Sequence, residues 1–352
     1  MSMDWLQQAI AAIDTQCLAQ AQQRQTQLTK PPGSLGRLEE LAIRLAGMQG
    51  TQAIALDKPH VVVFAADHGI AAEGVSAFPQ AVTTEMIKNF AHGGAAISVM
   101  ARQLGASMEV VDVGSAVPPG PLPGVVDQRI AAGTANFVKQ AAMEREQLAQ
   151  ALQCGRDAVA RGREQGMQLF IGGDMGIANT SAATAIACAL LHRPASELAG
   201  PGTGLDANGV SHKARLIQSA IEQHRDAMRD PLEVLLHVGG FEIAALCGAY
   251  LACAQQGIPF MVDGFIASSA ALVAVQLNAE VRQWMFLSHR SAEPGHEQIL
   301  AGLGIEPLLD LGMRLGEGSG AAVAVPLLRM AAAIHTQMAT FAEAGVSEKS
   351  ET

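Results

Sequence analysis

The sequence predicts an α/β fold, a parallel sheet wrapped by helices. Short apolar runs lacking polar alternation recur along it, as expected of strands covered on both faces. Helical patterns separate these runs over more than 200 residues, the arrangement of strand–helix–strand units. A length of 352 residues with 49% hydrophobic content allows a sizeable core and suits one large unit with a smaller one appended.

Taken in order, residues 3 to 29 are Gln-rich with apolar residues at helical spacing, predicting one or two surface helices. Lys30-Pro31-Pro32-Gly33-Ser34-Leu35-Gly36 breaks them, and Arg37 to Leu45 begins another helix. Val61 to Ala66 is the first strand run and ends in Asp67-His68-Gly69, with helical patterns from 80 to 104 after it. Met108 to Val111 leads into Asp112-Val113-Gly114. A Pro-Gly loop at 118–124 precedes a weaker strand near 125–130. Gln168 to Ile171 ends in Gly172-Gly173-Asp174, Phe260 to Val262 in Asp263-Gly264, and Met285 to Leu287 in Ser288-His289-Arg290-Ser291. Helices are expected at 144–164, 179–191, 211–224, 240–256 and 266–277. A final block at 320–342, apolar nearly all round, is expected to fold back on the N-terminal helices.

Composition narrows the function. A net charge of −10 and 4% aromatic content argue against a nucleic-acid surface, which needs basic and stacking side chains. The five cysteines include no C-x-x-C pair and read as free thiols of a reducing cytoplasm. The N-terminus lacks the pattern of a signal peptide. The longest apolar stretches noted, 243–254 and 265–275, fall short of the ~18 residues of a membrane span.

Ligands of open parallel sheets bind beyond the carboxyl ends of the strands. Asp67, Asp112, Asp174 and Asp263 are all expected at that edge, each open to a second reading as a turn or helix cap. Gly200-Pro201-Gly202-Thr203-Gly204, ahead of Lys213, could cradle a phosphate on backbone N–H groups, or be an ordinary turn beside a solvated Lys. Gly176 to Thr180 offers a second helix start, with Asn179 a cap or a ligand contact. The sharpest feature is Arg314-Leu315-Gly316-Glu317-Gly318-Ser319-Gly320: one carboxylate among glycines, where backbone can approach a ligand. Glu317 could also be a helix-start residue favoured by the helix dipole. Asp67, His68 and Asp263 could instead serve a metal-dependent nucleotide hydrolase, and a non-catalytic nucleotide sensor is a third possibility.

KPPGSLGRLE (30–39), AADHGIAAEGV (65–75), GGDMGIANTSAA (172–183), GPGTGLD (200–206), HVGGFEIAAL (237–246), PFMVDGF (259–265) and MRLGEGSGAA (313–322) together resemble the nicotinate-nucleotide:dimethylbenzimidazole phosphoribosyltransferase family, in family order. The resemblance implies a Rossmann-like sheet (51–319) with a small helical domain from both termini (1–50 and 320–352), usually as a homodimer. It places the catalytic base on Glu317. It also implies substrate contacts at Asp174, Gly176, Asn179, Thr180, Gly202, Thr203, Gly204, Lys213 and Ser291, with Phe78, Met86 and Leu315 around the incoming base. Asp174 stands where enteric members carry Glu, and Phe78 and Met86 where they carry Ser and Gln. The implied partners are small molecules, nicotinate mononucleotide and dimethylbenzimidazole, with neither nucleic acid nor membrane. No cofactor or metal is expected, because the pyridinium ring departs neutral.

Overall fold

The computed structural model describes residues 3–347. Its centre is a six-stranded, all-parallel sheet: β1 (Pro59–Ala66), β2 (Ser107–Gly114), β3 (Val125–Asp127), β4 (Leu169–Met175), β5 (Phe260–Val262) and β6 (Met285–Leu287). The strands lie in the order β3-β2-β1-β4-β5-β6, the order of a doubly wound Rossmann sheet. The direction of winding reverses between β1 and β4, opening a crevice beyond their carboxyl ends. β1 is buried at every position, which is why its apolar run shows no alternation. β2 and β4 extend past their apolar runs and carry Asp112 and Asp174 inside the strands.

The expected helices form, among them Arg145–Glu164, Asn179–Leu191, Phe241–Gln255 and Phe265–Leu277. Phe241–Gln255 is buried from residue 241 to 254 and packs against Arg145–Glu164. Pro231–Val238 and His296–Leu303 are helices without a counterpart in the sequence reading; both are two turns long, too short for a periodic pattern to declare itself.

Ser319–Gln337 corrects one expectation: by length and composition it could cross a membrane, although the two stretches singled out from sequence could not. Here it packs against Arg37–Gln49 and Ala96–Leu104, burying Ala321, Val325, Leu328 and Ala332 among its residues. The first long helix and the last one meet at their C-terminal ends: Leu28 bridges to Thr340, and the Arg24 guanidinium donates to the carbonyls of His335 and Met338. Near the amino ends of β5 and β6, the first residues are fastened to the body. Trp284 donates its indole N–H to the Ala11 carbonyl at 2.9 Å, Gln255 donates to the Trp5 carbonyl, and the Arg156 guanidinium lies 5.1 Å from the Trp5 ring centre.

Candidate active site

A cavity of about 310 Å³ opens at the switch point of the sheet. Its walls come from the end of β4 and the helix after it, the segments following β5 and β6, the 314–317 segment, and the start of Ala81–Ala91.

Glu317 lies in its wall, 6% exposed. It has φ 64°, between Gly316 at 89° and Gly318 at 87°. Positive φ at three successive residues is a conformation unfavourable for the one that carries a side chain. The Glu317 N–H donates to the Asp174 carbonyl at 3.2 Å. A side chain at Gly173 would strike the Glu317 carbonyl, so a glycine in β4 lets this segment lie directly on the strand. Glu317 does precede a helix, but its Oε2 accepts from the Ile97 N–H, at the start of the different helix Ala96–Leu104. Burial raises the Glu317 pKa, the Ile97 amide opposes that, and the Asp263 charge adds to it.

Asp174 is 4% exposed, and its Oδ2 accepts from the Asn179 side-chain amide at 2.9 Å. Burial pushes its pKa well up, as do the nearby charges of Asp263, Glu242 and Glu317. Asn179 is therefore no cap: Ala178 stands at that position with φ 74°, and Asn179 orients Asp174 at the cavity. Thr83 links the same region by donating to Asp67 and accepting from the Ile177 N–H.

Eleven of the thirteen site residues expected from sequence line the cavity: Glu317, Asp174, Gly176, Asn179, Thr180, Gly202, Thr203, Phe78, Met86, Ser291 and Leu315. Gly204 and Lys213 do not. The alternative of a solvated Lys213 is corrected, since its side chain is fully buried. Its ammonium donates to Thr180 Oγ1 at 2.7 Å and to the Gly200 carbonyl at 3.3 Å. Burial lowers its pKa to about 8, against the pull of Glu293. Phe78 and Leu315 are 52% and 57% exposed, so neither is a core residue.

The acidic edge divides. Asp67 accepts from Thr83 and the Ala116 N–H, and Asp112 from Gly114 and Ser115, the turn-capping reading. His68 pairs with Glu242 at 2.7 Å with both side chains fully buried. The hydrolase's ligand set is thus dispersed, and among the described residues no group of three His, Cys, Asp or Glu side chains is arranged to hold a metal.

His289, Glu293 and Arg314 also line the cavity and were not picked out from sequence. His289 and Glu293 follow β6 directly, where the carboxyl-edge rule already pointed, and Arg314 opens the glycine-rich segment of Glu317. Arg314 donates to the Gly202 carbonyl at 3.1 Å, joining the phosphate-loop candidate to that segment.

Fold and cavity define a doubly wound α/β protein with a mixed apolar and acidic ligand site at its switch point. A family model described as Phosphoribosyltransferase matches residues 10–346. The chain is 58% identical over 349 residues, 99% of each chain, to a Pseudomonas aeruginosa protein named nicotinate-nucleotide–dimethylbenzimidazole phosphoribosyltransferase. It is 59% identical, over the same length and 99% of each chain, to one of that name from Pseudomonas putida. A crystal structure of the enzyme so named from Thermus thermophilus superposes with TM-score 0.91 at 44% identity, covering 96% of this chain and 100% of that one. The chain belongs to this phosphoribosyltransferase family.

Proposed function

We propose that the protein transfers the phosphoribosyl group of nicotinate mononucleotide to 5,6-dimethylbenzimidazole, giving α-ribazole 5′-phosphate and nicotinate in assembly of the cobalamin nucleotide loop. The names of its relatives support this, and the observation that carries the chemistry is the buried Glu317 carboxylate in the cavity wall. Nicotinate leaves as a neutral ring from a cationic pyridinium, so departure needs no proton donor. The incoming benzimidazole attacks through one nitrogen and must lose a proton from the other. Glu317 is the acceptor, worth ~10²–10⁴-fold as a general base. Attack opposite the departing ring inverts the anomeric carbon and gives the α-nucleotide. Incubation with both substrates and mass-spectrometric detection of nicotinate tests the reading; binding without release from any base would leave a nucleotide sensor.

Because the chemistry asks for no Lewis acid, activity should survive exhaustive EDTA treatment. Loss that Mg²⁺ or Mn²⁺ restores would favour the hydrolase.

We assign the phosphate to the 200–204 loop backed by Lys213. An ammonium has three donors, and Thr180 and Gly200 occupy two. Lys213→Ala should weaken nicotinate mononucleotide by ~1.5–3 kcal/mol and the free base far less. Equal weakening of both, by calorimetry, would mean a structural role.

Phe78, Met86 and Leu315 form the slot for the incoming base. Ring methyls entering apolar walls gain ~1–3 kcal/mol per methylene equivalent, whereas adenine's polar edges would go unpaired at ~1–3 kcal/mol each. In a mixed-base competition, dimethylbenzimidazole should outcompete benzimidazole modestly and adenine strongly. Phe78→Ser and Met86→Gln should narrow the gap; unchanged product ratios would remove these residues from base selection.

The division into a small helical domain (1–50 and 320–352) and a large one (51–319) remains our proposal, supported by the packing of Arg37–Gln49 on Thr15–Gln27 and Ser319–Gln337. Residues 1–2 and 348–352 of that division lie outside the described residues. A homodimer in the cytoplasm is proposed with it, and a sedimentation mass of one chain would remove the dimer.

A further inference from the structure

We propose that Asp263 is a positioning residue for the transfer, holding the backbone around Glu317 so that its carboxylate stays at the incoming base. The inference rests on Glu317 being the proton acceptor.

Asp263 directly follows β5, is 1% exposed, and is not among the residues lining the cavity. Its Oδ2 accepts from the Gly318 N–H at 3.1 Å and its Oδ1 from the Ala321 N–H at 2.9 Å. These donors sit at the start of Ser319–Gln337, where the amides have no partners within the helix. A helix ordinarily supplies its own cap from a Ser, Thr, Asp or Asn in extended backbone. Gly318 cannot do so: it has no side chain, and its φ of 87° is a geometry that favours glycine. The cap therefore comes from the segment that follows β5.

The consequence falls on the residue between. Glu317's own N–H is tied to the Asp174 carbonyl on β4, and the next N–H is tied to Asp263 after β5. Both peptide units of a left-handed, side-chain-bearing residue are thus clamped to the sheet edge. His289 Nδ1 lies 3.8 Å from Asp263 Oδ1, so the buried carboxylate has a ring beside it as well as two amides. With one clamp removed, the Gly316–Gly318 segment can relax toward ordinary backbone and carry the Glu317 carboxylate away. Misplacement of a reacting group by about 1 Å can cost ~10²-fold in rate.

Asp263→Asn tests this, because the amide keeps the volume and one acceptor while turning an NH₂ toward one of the two donors. We expect kcat to fall at least ~10-fold with KM for both substrates within about threefold. In a Glu317→Gln background the same change should lower the residual kcat by less than about twofold, since positioning a group already disabled has little left to lose. Amide exchange over 316–321 should quicken in folded Asp263→Asn while 325–335 stays protected. An equal loss in both backgrounds, a raised KM with kcat kept, or unaltered exchange would each overturn the proposal. If Glu317→Gln alone retains turnover, the base assignment fails and this inference with it. If Glu317→Gln is inactive and Asp263→Asn is not, only this inference fails.

Discussion

Glu317→Gln should cut turnover at least ~10²-fold while leaving nicotinate mononucleotide binding nearly intact. The amide keeps the shape of the side chain and an oxygen able to accept from the Ile97 N–H, so the segment should keep its course. What it loses is basicity. The parent carboxylate is well suited to accepting a proton. Burial raises its proton affinity, while the Ile97 amide at the start of its helix keeps part of the charge stabilised. A base must be ionised to act, so the acid limb of the rate profile should lie above the ordinary Glu value of 4.5. A Gln variant retaining more than a tenth of parental turnover would take Glu317 out of the mechanism.

Glu242→Ala should destabilise the fold by ~3–5 kcal/mol in denaturant unfolding, the usual cost of breaking a buried ion pair from one side. His68 and Glu242 are both fully buried, and the pair lies beneath Gly176 at the cavity wall. Burial works against a charged His68, but the Glu242 charge and its hydrogen bond prevail, and the His68 pKa is raised above 6.5. The sign follows: the pair's contribution is fully present below the unfolded His value and is lost as pH rises through the higher folded value. Parental stability should fall over that interval, and the variant should lack that component of the fall. A loss under ~1 kcal/mol would show that the pair contributes little.

The sheet was legible because its strands are apolar and buried on both faces, as Val61 to Ala66 are. The cavity was legible because Glu317 sits in a run of glycines that no ordinary helix start needs, and because the resemblance marked Phe78, Met86 and Leu315, which line it. Strand ends were harder. Asp112 and Asp174 carry on the pairing of β2 and β4 although they look like turn residues, since partner strands can override local preference. The partner of His68 lies 174 residues away, a pairing no local pattern can supply. Lys213 could be read from sequence as solvated, whereas it is fully buried with its ammonium on Thr180 Oγ1 and the Gly200 carbonyl, contacts made only on folding.

The fastening of the first residues to the amino side of the sheet decides what the protein's own fluorescence reports. The chain has two tryptophans, Trp5 and Trp284, and both belong to that seam. Neither lines the cavity, which opens beyond the opposite ends of the strands. Emission from the indoles therefore follows docking of the N-terminal segment and is a poor gauge of substrate occupancy. A spectroscopist would have a clean unfolding probe in the native sequence, and would need an indole introduced near the mouth, for example by Phe78→Trp, to watch a base arrive.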